Sequence, residues 1–276
     1  MTLSKFTIFK PDEFVDYVMR TQFNRPVSVI QNHHTFKPGY QHLTDSRGEM
    51  YWLESMRTTH INDRKWSDIG QNITTFKSGN IAVCRPIDSM PAGIYGANTG
   101  AICMEHMGDF DSGKDQMSKE HKDSIILANA VLCLKFGIQP EKWKVVYHHW
   151  YSPSGAKFTE ADINSGATAG LQKSCPGTAF FGGNTINAAE HNFYPLIQQK
   201  MQELSGAAPM VVQGVPRKVA ASTLNVRSGP GKNFSVVRTL KAGMDVLVFD
   251  TNDQGWSLIS NTAQEWVATN YLGGAI

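Results

Sequence analysis

Two pairs of adjacent histidines close apolar runs in this chain: His33-His34 in VSVIQNHHTFKPG and His148-His149 in KWKVVYHHW. An apolar run followed by Pro38 and Gly39 reads as a buried strand that hands its last residues to a loop. A third residue capable of holding a metal, Cys175, lies in KSCPGTAF, where Pro176 and Gly177 impose a turn. Two imidazoles and a thiolate form a donor set suited to a catalytic zinc, which takes three protein ligands and keeps a fourth position for water. Side chains alternate along a strand, so one histidine of each pair faces the metal and its neighbour faces away; either member could serve. Nine histidines in 276 residues also produce adjacent pairs by chance, and a lone cysteine is most often a small buried hydrophobe. On spacing alone the two readings weigh equally.

Elements able to position such donors are legible around them. VSVIQN (27–32), NIAVC (80–84), GAICMEHMG (100–108) and KWKVVYHHW (143–150) are short apolar runs bounded by turns, hence strand candidates. SKEHKDSIILANAVLCLKFG (118–137) has Ser118 as a cap, charges in its first turn, a helical apolar period and Gly137 as its stop. TINAAEHNFYPLIQQKMQEL (185–204) reads as a second helix, interrupted or started near Pro195. Strands separated by a full helix predict an α/β fold, a central sheet flanked by helices. Composition then changes. SGAAPMVVQGVPRK (205–218) has small residues, two prolines and no helical period, and reads as a linker. Residues 219–276 are dense in β-formers with turns at RSGPGKN and NDQG, which predicts a small all-β barrel. It holds no metal-ligand or nucleophile spacing, so it is expected to bind rather than catalyse. The expected organisation is a catalytic domain over 1–204, a linker over 205–218 and a binding module over 219–276.

Composition narrows the function classes. A net charge of +2 gives no basic footprint, so no nucleic-acid partner is expected. Cys84, Cys103, Cys133 and Cys175 are too scattered for a disulfide framework, which fits an intracellular place of synthesis. The opening MTLSKFTIFKPDEF lacks the apolar core of a signal peptide, and no run is long enough for membrane insertion as a helix.

Two resemblances sharpen these expectations. Leu224-Asn225-Val226-Arg227-Ser228-Gly229-Pro230-Gly231, Leu240-Lys241-Ala242-Gly243, Gly255-Trp256, Trp266-Val267 and Asn270-Tyr271-Leu272 follow one another in an order that resembles the bacterial SH3-like domain family. That family implies binding to cell-wall peptides or cross-bridges. HHT at a strand end, WSDIGQN (66–72), GAICMEHMGDFD (100–111), KVVYHH and KSCPG together resemble the type 2 N-acetylmuramoyl-L-alanine amidases, which include phage endolysins and animal peptidoglycan recognition proteins. The resemblance covers roughly 25–185 and implies a mixed central sheet flanked by helices, one Zn2+ ion, and hydrolysis of the bond between muramic acid's lactyl group and L-alanine in bacterial peptidoglycan.

Residue by residue, the resemblance assigns zinc to His33, His148 and Cys175, and matches the family's strand carboxylate to Glu105 and its lysine to Lys173. Glu105 is then expected to take a proton from the attacking water, with Asp68 and Asp109 as competing carboxylates, and Lys173 to stabilise the oxyanion. Where many members carry a tyrosine after WxDIG this chain has Gln71, expected to donate a weaker hydrogen bond to the same oxygen. A long insertion, 150–172, separates the second and third donors and could shape specificity. The expected protein is a bacteriolytic phage or prophage endolysin, made in the bacterial cytoplasm without a signal peptide and acting at the cell wall; a secreted autolysin is the alternative. Rival functions are a cell-wall cysteine peptidase using Cys84 or Cys103 with His148, and a peptidoglycan-binding or zinc-stabilised protein without catalysis, the latter with His34 or His149 as a fourth donor.

Overall fold

The computed structural model describes residues 6–44, 47–206, 214–252, 254–260 and 263–275. The chain divides into two compact units, Met1–Ala208 and Pro209–Ile276. In the first, six strands form one sheet: β1 (Thr7–Phe9), β2 (Val29–His34), β3 (Ile73–Thr75), β4 (Ile81–Val83), β5 (Ala101–His106) and β6 (Val145–Tyr147), in the order β1-β4-β3-β5-β2-β6. β3, β5, β2 and β6 run parallel, while β4 and β1 add an antiparallel edge. The parallel strands therefore end at one edge, the side where open α/β sheets hold their ligands.

Four principal helices accompany the sheet: α1 (Pro11–Arg20), α2 (Gly48–Asn62), α3 (Lys119–Phe136) and a last helix over Tyr194–Ser205. A short α4 (Glu160–Ser165) forms in the insertion, with Thr159 capping it. α3 matches its sequence signals. The Ser118 hydroxyl accepts from the His121 amide at 3.1 Å, and Gly137 ends the helix with φ at 65°, where a side chain would be penalised. The segment read as 185–204 begins at Thr185, which caps a short α-helical turn Ile186–Ala188. A π-helical turn, Ala189–Phe193, follows, and the last helix restarts with Pro195 in its first turn, where the missing N–H costs nothing. Tyr194 Oη donates to the Val145 carbonyl at 2.7 Å and ties this helix to β6.

β2 extends through both histidines, two residues beyond the expected strand end, because His33 and His34 pair in register with Glu105 and His106 of β5. One face of the sheet packs Ile30, Ile102, Met104, Val145 and Tyr147 with Phe14, Ile125, Val131 and Phe193. A buried polar chain runs through this apolar layer. Tyr40 Oη donates to His121 Nδ1 (2.7 Å), His121 Nε2 to Thr75 Oγ1 (2.8 Å), Thr75 Oγ1 to His106 Nδ1 (2.8 Å), and His106 Nε2 to Asn32 Oδ1 (3.0 Å). Asn32 and Asn129 bond to each other through both amides. Burial keeps both imidazoles neutral, and the Asn32 oxygen only accepts, so the directions follow in turn with the proton of each ring on Nε2.

In the second unit, β7 (Val215–Val219), β8 (Thr223–Arg227), β9 (Val236–Lys241), β10 (Asp245–Val248), β11 (Asp250–Thr251), β12 (Trp256–Leu258), β13 (Trp266–Ala268) and β14 (Leu272–Ala275) form two antiparallel sheets, β10-β7-β14 and β11-β12-β13-β8-β9. Val219, Leu224, Val226, Leu240 and Val267 make its small core. Residues 215–218, read from composition as linker, are strand: β10 and β14 flank β7 and pair its backbone. The helix runs to Ser205, and residues 207–213 of the expected linker lie outside the described residues, as do residues 1–5 of the opening segment.

Candidate metal and hydrolytic site

Parallel register places the site. His33 stands beside Glu105 on β5, and Asn32 is level with Tyr147, so His148 begins one residue beyond the tip of β6 next to His33. The His33 and His148 ring centres are 4.7 Å apart. Cys175 comes from a turn in which the Gly177 amide donates to the Ser174 carbonyl at 2.9 Å. Gly177 has φ at +119°, and a β-carbon there would lie 2.4 Å from the Phe110 carbonyl oxygen, so only glycine lets this turn dock against the segment after β5. His33, His148 and Cys175 each present a donor atom, all within 4.8 Å of one another. These three residues, separated by up to 142 positions in sequence, meet as the sequence expected and could hold a metal ion.

The other member of each pair has a different task. The His34 amide donates to Cys175 Sγ at 3.4 Å, while its ring Nδ1 accepts from the Phe110 amide at 3.1 Å. The His149 amide donates to the Cys175 carbonyl at 2.8 Å. Its Nδ1 donates to the Lys173 carbonyl, which fixes Nε2 as the acceptor of the Thr168 hydroxyl, both at 2.8 Å. Neither joins the group of converging donors found among the described residues; both pin the Cys175 turn. Thr168 belongs to the insertion, so that segment also supports the His149 ring, a link with no sequence signal.

Electrostatics suit a metal site. His33 is 3% exposed, and its Nε2 is buried without a hydrogen-bond partner, a costly vacancy unless something outside the chain fills it. Burial, then the neighbouring His148, holds His33 well below the usual imidazole range, and burial with the Lys173 ammonium pushes His148 down to about 4. Neutral imidazoles are the form that binds metal. Burial pushes the Cys175 thiol well up, with Glu105 adding to it, so a stable thiolate there calls for a cation. Buried nitrogen and sulfur donors of this kind, with an orphaned ring nitrogen, fit zinc.

Glu105 lies at the edge of this group, with Oε1 4.0 Å from His33 Nδ1 and Oε2 buried without a partner. Burial raises its pKa to about 8, offset in part by the Lys173 charge. The competing carboxylates are committed elsewhere. Asp68 pairs with Arg57 at 2.6 Å, and Asp109 Oδ1 accepts from the Asp111 amide at 3.2 Å. Lys173 is exposed, and its charge reaches His33, His148 and Glu105. Gln71 departs from expectation. Its side-chain amide donates to Thr74 Oγ1 at 3.0 Å and faces Met56 Sδ at 3.9 Å, while Oε1 is buried without a partner. Its donors are taken, and the group it leaves open is an acceptor. Thr74 is level with Glu105 on β3, which puts this amide alongside the carboxylate's strand position.

A mixed sheet with its polar residues gathered at the carboxyl edge is the frame of a ligand-binding α/β domain. The family profile of N-acetylmuramoyl-L-alanine amidase matches residues 23–178, and that of the bacterial SH3 domain matches residues 222–273. The chain belongs to the N-acetylmuramoyl-L-alanine amidase family, and peptidoglycan is its partner. Among solved structures, it is similar to wild-type Drosophila PGRP-LB, with 20% identity, 62% of this chain and 84% of that chain covered, and a TM-score of 0.43. It is similar to the endolysin amidase LysCS from Clostridium intestinale URNW, with 18% identity, 67% and 86% covered, and a TM-score of 0.40. No curated protein matches. Among the described residues no helix is long and apolar enough to cross a membrane.

Proposed function

We propose that this chain hydrolyses the amide between N-acetylmuramic acid and L-alanine in peptidoglycan, using a zinc ion held by His33, His148 and Cys175. The observation that carries the reading is the convergence of those three donors, with His33 Nε2 orphaned, beside a partly buried carboxylate. Zinc bound there supplies a Lewis acid and lowers the pKa of a water toward neutrality. Glu105 takes the proton of the attacking water at Oε1, the oxygen nearer His33, and returns it to the departing alanine nitrogen as the C–N bond breaks. A carboxyl group with a pKa near the working pH is suited to both transfers. Lys173 contributes positive charge where the oxyanion develops.

The second unit keeps the hydrolase at the wall by raising its effective concentration there. A wall hydrolase joined to a wall-binding module fits a bacteriolytic endolysin of phage or prophage origin, with an exported autolysin as the other source. The cysteine-peptidase reading is disfavoured by burial. The Cys84 thiol is pushed to about 12 and Cys103 well above its ordinary value, the opposite of an activated nucleophile. Dialysis against a chelator tests the metal reading: hydrolysis of a soluble muropeptide should vanish and return on adding zinc. Full activity without metal would refute it.

A further inference from the structure

The third donor is held by a residue outside the ligand set. Asp111, two residues beyond the Asp109 considered from sequence, accepts from the Ser174 hydroxyl at Oδ2 and from the Thr178 amide at Oδ1, both at 2.9 Å. Those partners bracket Cys175 on either side. The same short segment is fastened to the β2 tip through the Phe110 amide on His34 Nδ1, and to the far end of the turn through the Ala179 amide on the Phe110 carbonyl at 2.9 Å. The Ser112 amide adds a bond to Thr178 Oγ1 at 2.9 Å.

This bracket matters because chain connectivity positions Cys175 poorly. The 150–172 insertion lies between it and His148, so sequence proximity does not tie the thiol to the second imidazole. A donor on such a turn must be placed by bonds across the fold, and groups that orient metal ligands this way set affinity strongly. The carboxylate suits the task. It accepts two hydrogen bonds at separate oxygens, and bonds to a charged acceptor are the stronger kind. Burial acts to raise its pKa, but the Thr178 amide, the Ser174 hydroxyl, the nearby His34 and the Thr178 hydroxyl together outweigh it and hold the carboxyl below its usual range.

We propose that Asp111 is a positioning residue for the metal ligand Cys175, clamping residues 174–178 so that the sulfur faces His33 and His148. The proposal rests on the metal reading above and reaches the metal only through the turn.

The test uses the full chain freed of metal and titrated with cobalt(II), whose near-ultraviolet thiolate-to-metal absorption reports coordination by sulfur. Wild type should bind and show the band, and Cys175→Ser should lose it. Asp111→Ala, measured well below its unfolding midpoint, should bind cobalt about 10- to 100-fold more weakly with a diminished band. A residue that merely stabilises the fold would lower the midpoint and leave affinity and band at wild-type values, and that result overturns the proposal. If Asp111→Ala does not fold, Ser174→Ala, which removes one of the two bonds, decides: weaker binding supports the clamp and unchanged binding overturns it. A wild-type band that survives in Cys175→Ser, or is absent from the start, overturns the metal reading instead, and the proposal with it.

Discussion

Glu105 and His33 occupy level positions on adjacent parallel strands, carboxylate Oε1 4.0 Å from imidazole Nδ1, with the other carboxylate oxygen buried and unpartnered. The pair places a proton acceptor beside a candidate metal ligand without making it one. Glu105→Gln keeps shape and removes the acceptor, so kcat for muropeptide hydrolysis should fall by about 10²- to 10⁴-fold. Zinc content, measured by elemental analysis, should stay at the wild-type stoichiometry. Loss of zinc along with activity would move Glu105 from proton transfer into the ligand set.

Metal should also report on stability. An ion that binds only the folded chain stabilises it by about 4 kcal/mol when its concentration is a thousand times Kd. Thermal unfolding of the wild-type chain should therefore shift upward with zinc. Cys175→Ser should show a smaller shift at the same concentration. Equal shifts in both proteins would mean that Cys175 is not a ligand.

The buried relay from Tyr40 to Asn32 can be cut at its centre. Thr75→Val leaves His121 Nε2 without an acceptor and His106 Nδ1 without a donor. Each orphaned group costs about 1–3 kcal/mol. Urea unfolding should show a loss of about 2–6 kcal/mol on that basis, most of it restored by Thr75→Ser. A Thr75→Val variant as stable as wild type would show that the relay contributes nothing net.

That relay also sets an acid limit. Burial lowers the His121 pKa from 6.5 to about 3, and holds His106 well below its ordinary value. Both stay neutral when folded and take a proton when unfolded, so protons favour the unfolded chain. Their contribution is complete above about pH 6.5 and drains away as pH falls toward 3. Unfolding free energy, measured in chelator, should drop between pH 7.5 and pH 5, and less steeply in His121→Gln. Identical slopes in the two proteins would contradict this assignment.

Much of the site was legible in the chain because its donors punctuate recognisable elements. His33 and His148 follow apolar runs, and Cys175 precedes Pro-Gly, so each stands where a strand or turn must end. Strand alternation foretold that one of His33 and His34 would face away, but not its employment. His148 and His149 lie past the end of β6 in a 3-10 turn, His148–Trp150, shorter than the strand expected over 143–150, so alternation does not govern that pair. His34 and His149 bind the Cys175 turn across the fold, and no local pattern encodes a contact 141 residues distant. The Gln71 amide, expected to donate at the reacting oxygen, donates instead to Thr74, three residues on, and faces Met56 of α2, which only packing brings near. Strand β7 was hidden because V-P-R-K-V carries a proline and little apolar alternation, and it becomes a strand through pairing with β10 and β14.

Chemical identification of the cleaved bond bears most directly on the central reading. Purified peptidoglycan should be digested with and without chelator and the newly exposed chain ends determined. Fresh L-alanine amino termini that disappear when metal is removed are expected. New amino termini from any other residue, or alanine termini released at full rate in chelator, would contradict hydrolysis of the muramoyl amide at a zinc held by His33, His148 and Cys175.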